Sequence, residues 1–282
     1  MAASRWSGET KEITAHGAFT NLVENTFSRH EDAIVALVQK KRKGYKPVTR
    51  AFITGHSLAG GMANVAHLFV KAGAKKADSP WAELAGKVTW LACTFASLQT
   101  IVRLYEPEKP PPLMAELDAS SYNVVYGVDA VPRLWSMLTY LGAIVEIALP
   151  EFLEAKGEDK IGLPSWFPLK SLIRMGHFLA PKHIGDLDGK IDDLTAFPIK
   201  LLKSKGLAEV LGQFSHTGTV VYIKDKDLKY VHLEGAEIKE TLDVGGDAFE
   251  ALLASWGKPA DILSLFGDAH SASYQTFMFG AK

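Results

Sequence analysis

Residues 52–61 read FITGHSLAGG, and few ten-residue stretches restrict a fold more. The apolar run Ala51-Phe52-Ile53-Thr54 reads as a strand, and LAGGMANVAHLFVKAG, ended by Gly73, reads as a helix. Only a sharp turn around Ser57 can join them. Such a turn needs small residues two places before and two places after the serine, because larger side chains would strike the neighbouring strand or helix. Gly55 and Ala59 meet that need, and Gly60 and Gly61 let the helix lie close to a sheet. Ser57 then has two readings. It is a helix N-cap at a tight turn, or a hydroxyl presented on a nucleophile elbow. In the second case the backbone N–H of Leu58 is placed to donate to an oxyanion, and a base and an acid must follow downstream.

The rest of the chain is consistent with a sheet around this unit. Residues 18–43 repeat apolar side chains at three- and four-residue steps (Phe19, Leu22, Val23, Phe27, Ile34, Leu37, Val38), which predicts one helix closed by the basic run KKRKGYK. Strands follow at KVTWLACTFAS and SYNVVYGVD, with the proline-rich EPEKPPPLMAE between them read as a loop. GTVVYIKDKDLKYVHL alternates on both sides of KDKD and predicts a β-hairpin. A last helix is expected at about 246–256. Strand–helix alternation of this kind suggests a mostly parallel sheet with packed helices, an α/β class.

Between 137 and 212 the pattern changes to apolar or amphipathic helices broken by Pro and Gly, with no convincing strand. The expected organisation is a core formed by 1–136 and 213–282, with 137–212 inserted as a helical cap or lid. Trp166, Phe167, Leu169, Leu172, Ile173 and Met175 either line an apolar tunnel or pack a helical subdomain without touching a ligand.

Charge and cysteine content remove several function classes. Basic side chains number 31 against 32 acidic ones, so no basic field for nucleic acid exists. The lone Cys93 excludes an intramolecular disulfide and a cysteine-based zinc site, and its apolar setting reads as a structural thiol. The N-terminus lacks the apolar core of a signal peptide, and the longest apolar stretch, MLTYLGAIVEIALP, is too short to span a bilayer and carries Glu146. These features lead to the expectation of a soluble protein, cytoplasmic unless its native N-terminus is longer.

A family resemblance gathers the remaining motifs. GHSLAGG resembles the GHSLGG elbow of the class 3, fungal-type lipases, which are α/β-hydrolases. AHGAF at 15–19 resembles their vHxGF segment, and GVDAVPRL at 127–134 is similar to their acid-bearing DxVPR motif. FSHTGTVVYI at 214–223 resembles the HvGxevy strand, and DAHSASY at 268–274 the terminal DHxxY segment. These segments stand in the family's order over residues 15–274.

The resemblance implies an α/β-hydrolase-like sheet and a Ser57–Asp129–His270 triad. Asp129 follows the apolar strand NVVYGV, at the strand edge where open α/β sheets place their sites; it also reads as a turn cap before Val-Pro. Of nine histidines, His270 is third in triad order. His56, beside the serine, is read as a packing residue pointing away from it. His16 falls in a family motif but at no triad position, and His67, His177, His183, His216, His232 and His30 have structural explanations.

The activity implied is ester hydrolysis by a lipase or lipase-like esterase through an acyl-enzyme, with no metal or organic cofactor. The expected partner is a lipid or ester substrate, with transient contact at a lipid interface. Phospholipid cleavage, acyl transfer, or a non-catalytic lipid- or protein-binding role are the alternatives. The family's RGT-like segment, source of a second oxyanion donor, has no counterpart before His16, where SRWSGE stands. Either the chain is a shortened form of the family, or Ser4, Ser7 or another group replaces that donor, and an uncovered sheet edge would invite a second chain.

Overall fold

A computed structural model describes residues 13–40, 43–103, 109–127, 129, 131–135, 213–224, 229–242, 270 and 273–279. Its centre is a five-stranded sheet in the order β2-β3-β5-β7-β8, with β2 at Arg50–His56, β3 at Thr89–Phe95, β5 at Ser121–Tyr126, β7 at Thr219–Ile223 and β8 at Tyr230–Leu233. The first four strands run parallel, and β8 returns antiparallel to β7 as the alternating pattern around KDKD predicts. A second, antiparallel sheet joins β1 (Ile13–Ala15), β4 (Ile101–Arg103) and β6 (Phe214–Ser215) in the order β1-β4-β6. Three strands this short gave no readable alternation in the sequence.

The expected helix over 18–43 is two: α1 at Gly17–Thr26 and α2 at Glu31–Gln39, with a 3₁₀ turn at Ser28–His30 between them. Hydroxyls explain the break. Thr26 Oγ1 donates to the Leu22 carbonyl at 2.6 Å and Ser28 Oγ to that of Glu24, so side chains compete for the carbonyls that hold the last turn. Glu31 and Asp32 then open α2, where acids favour a helix N-terminus. The proline-rich stretch read as a loop contains α4 (Pro112–Asp118). A proline at the first helical position lacks only an N–H that had no helical partner, and Leu113, Met114 and Leu117 give the helix a buried face.

Helix α3 (Leu58–Gly73) fills one face of the sheet. Val65, Ala66 and Phe69 join Phe19 and Val23 of α1 and Met114 and Leu117 of α4 in the largest apolar cluster. A short C-terminal helix, α6 (Ser273–Phe279), lies on the opposite face, where Tyr274 and Phe277 pack with Phe95, Val124 and Ile223. The parity of the strands requires this, since Phe95 and Val124 project opposite to Ala92 and Thr94. Helix α5 (Ala236–Leu242) follows β8 and buries Ile238 and Leu242 against Val125 and Val220. Helices on both faces of a mostly parallel sheet put every C-terminal strand end of β2, β3, β5 and β7 along one rim.

Strand β2, which carries the FITG motif, is an edge: among the described residues it pairs only with β3. Its Phe52 is 63 % exposed. The expected cap at 137–212, with Trp166, Phe167, Leu169, Leu172, Ile173 and Met175, lies outside the described residues, as do SRWSGE and the helix expected at 246–256. No helix among the described residues is long and apolar enough to cross a membrane.

Candidate active site

The turn after β2 is as tight as the sequence demands. Ser57 sits at φ 57°, ψ −124°, backbone that L-residues avoid. Its N–H donates to Phe95 O at 2.9 Å, and its carbonyl accepts from Gly61 N–H at 3.2 Å, so the serine bridges sheet and helix. A Cβ on Gly55 would stand 2.2 Å from the Ala59 carbonyl oxygen, which leaves glycine as the only residue that fits. A Cβ on Gly60 would meet Ser97 Cβ at 2.9 Å. Leu58, Ala59 and Gly60 open α3, and the first N–H groups of a helix have no intrahelical acceptor.

Asp129 stands just past the end of β5. It is 1 % exposed, and its carboxylate is surrounded by donors. Val131 N–H reaches Oδ1 at 2.9 Å, the Tyr274 hydroxyl donates to Oδ2 at 2.7 Å, and His270 Nδ1 lies 3.1 Å from both oxygens. The same ring nitrogen facing two carboxylate oxygens must carry the proton, which leaves His270 Nε2 as the basic atom. The His270 side chain is 23 % exposed.

Tyr274, four residues after His270, adds a donor to Asp129 that the sequence showed only as part of a motif. Its oxygen accepts from Tyr126 N–H at 2.8 Å while its proton goes to Asp129. Burial, and then the Asp129 charge, push the phenol well above its ordinary range, so it remains a donor. Arg133 is buried behind the pair. Its guanidinium donates to Gly127 O and Thr241 O, both at 3.0 Å, and to Tyr222 Oη at 3.3 Å, and so clamps the turn that carries Asp129. Burial lowers its pKa, and the neighbouring Tyr222 and Asp129 act the other way.

His56 corrects a sequence-based reading. Rather than serving packing alone, its Nε2 lies 2.5 Å from the backbone carbonyl oxygen of His270, and the two rings have centroids 4.7 Å apart. His270 is therefore in direct contact with both Asp129 and His56, the residue before Ser57. Among the described residues no hydrogen bond joins Ser57 Oγ to the His270 ring; catalytic hydrogen bonds without substrate are often long and tighten when it binds.

The other described histidines sit elsewhere. His67 is fully buried on α3 between Ser121 Oγ, Ser120 Oγ and Trp90 O, and burial lowers its pKa to about 4. His16 caps α1, accepting from Ala18 N–H and stacking on Trp135, and burial lowers it likewise to about 4. His216 is buried, and His30 and His232 are exposed. Burial raises the Cys93 thiol, which disfavours a thiolate. No cluster that could hold a metal ion occurs among the described residues. The chain matches no family model, and no curated protein matches it.

Proposed function

We propose that this protein is a serine hydrolase of the α/β-hydrolase type, acting on carboxylic esters as a lipase or lipase-like esterase. The observation that carries the reading is the closed Asp129–His270 pair at 3.1 Å, beside a serine held at φ 57° between strand and helix. A buried aspartate fixing the Nδ1–H tautomer aims the free Nε2 outward, and a strained turn puts a hydroxyl at the same rim. A metal is not needed for this chemistry.

The steps follow from the atoms. Nε2 takes the Ser57 proton as Oγ attacks the ester carbonyl, and Asp129 stabilises the imidazolium that forms. Charge developing on the carbonyl oxygen meets the N–H of Leu58 at the positive end of α3. When the tetrahedral adduct collapses, the alcohol leaves with the proton from Nε2, and water repeats the sequence on the acyl-enzyme. A second oxyanion donor would raise the rate further, since one donor is worth about 10²–10³ in kcat.

A series of p-nitrophenyl esters from acetate to palmitate, with Ser57→Ala as control, tests this. Hydrolysis that Ser57→Ala abolishes is the expected result. Preference for long chains assigns a lipase and for short chains an esterase. A folded wild-type protein silent on the whole series contradicts the proposal and favours a binding role.

A further inference from the structure

A base that serves Ser57 must be positioned twice, once at its ring and once at its backbone. Asp129 supplies the first anchor by holding Nδ1. That contact still lets the ring swing about the carboxylate, so the place of Nε2 depends on where the main chain of residue 270 lies. The second anchor is on the neighbouring strand. His56 Nε2 approaches His270 O at 2.5 Å, and a carbonyl only accepts, so His56 donates.

His56 is itself well fixed. It closes β2 in register with Phe95, and its ring meets that of Tyr274 edge-on at 5.7 Å. Among the described residues this is the one hydrogen bond between the nucleophile strand and the segment carrying the base. It is also one residue from the nucleophile. Any drift of the His270 backbone away from Ser57 must first break it.

We infer that His56 is a positioning residue: its imidazole N–H tethers the His270 carbonyl to the strand end and so sets the reach of the base to the Ser57 hydroxyl. The inference rests on the hydrolase reading for its kinetic consequence, and on geometry alone for the tether. Misplacing a reacting group by about 1 Å costs up to about 10²-fold in rate, and an exposed side chain at a strand end can be replaced without emptying the core.

Two replacements separate tether from packing. His56→Phe keeps a flat ring against His270 and Tyr274 but has no donor, whereas His56→Gln offers an amide N–H at similar reach. On the best p-nitrophenyl ester, His56→Phe should lower kcat about 10- to 100-fold with KM changed less than about threefold, and His56→Gln should recover to within about fivefold of wild type. Full kcat in His56→Phe, equal losses in both variants, or a change confined to KM would overturn the tether.

The low-field NMR signal of the His270 Nδ1 proton reads the same contact without turnover. It should stay sharp in wild type and His56→Gln and broaden by solvent exchange in His56→Phe. Identical signals in all three would overturn the tether whether or not esters are cleaved, while a wild type inert toward every ester, with the signals behaving as expected, would count against the hydrolase reading alone.

Discussion

Asp129 is the residue on which the site's chemistry is most concentrated. Replacing it with Asn leaves the shape but lets the ring take the wrong tautomer, and kcat should fall on the order of 10³–10⁴-fold with KM little changed. Steady-state kinetics on one ester check this, and a loss under tenfold would contradict the role. Tyr274→Phe removes the 2.7 Å donor to Asp129 and strands the Tyr126 N–H. About 1–3 kcal/mol of stability should go with it, read as a lower urea midpoint at unchanged slope. At this scale the sequence was most legible where a residue type is chemically irreplaceable. Ser57, Asp129 and His270 were candidates from motif order, of which Asp129 and His270 meet at 3.1 Å, and Tyr274 stood in the same DHxxY-like segment without a stated role. The hydrogen bond that His56 adds to its ring packing was not legible, because nothing in the sequence says that α6 packs on the face to which the end of β2 projects.

The elbow is an element under strain. A serine at φ 57° costs on the order of 1–3 kcal/mol, which glycine would not incur. Ser57→Gly should therefore raise stability by about 1 kcal/mol, or roughly 2 °C in Tm, while abolishing turnover. Ser57→Ala should give no comparable gain, and equal Tm values for the two variants would argue against strain. Gly55→Ala should do the opposite, because its Cβ meets backbone rather than a movable side chain. Strand β2 and helix α3 were legible because local composition fixes them: an apolar run, then glycines around the serine, then a helix-like run ended by Gly73. The division of 18–43 into α1 and α2 was not, because hydroxyl-to-carbonyl bonds at Thr26 and Ser28 override a periodicity that continues through them. Helix α4 hid behind its prolines, which mark a helix start as readily as a loop.

Among the described residues, burial pushes the pKa of His67 and His16 down, and this makes stability depend on pH. His67 and His16 are lowered to about 4 from 6.5. Between those values the unfolded chain binds protons that the native one does not, so their contribution is complete above about pH 6.5 and is lost as pH falls toward 4. For fully buried His67 the loss approaches about 3 kcal/mol. Urea midpoints at pH 7.5 and 4.5 should differ accordingly, and His67→Gln should narrow the gap; an unchanged gap would show that the buried ring is not responsible. That β2, β3, β5 and β7 run parallel followed from strand–helix alternation, since parallel neighbours need crossovers. The small sheet β1-β4-β6 did not, because its pairings join residues far apart in sequence and leave no local signature.

The account as a whole depends on Ser57 being made nucleophilic by its histidine–aspartate pair, and an alkyl fluorophosphonate reads that directly. Intact mass and peptide mapping should show one adduct per chain, on Ser57, formed at least about 10³-fold faster in wild type than in His270→Ala. A wild-type chain left unmodified, labelled at another residue, or labelled no faster than His270→Ala would contradict it.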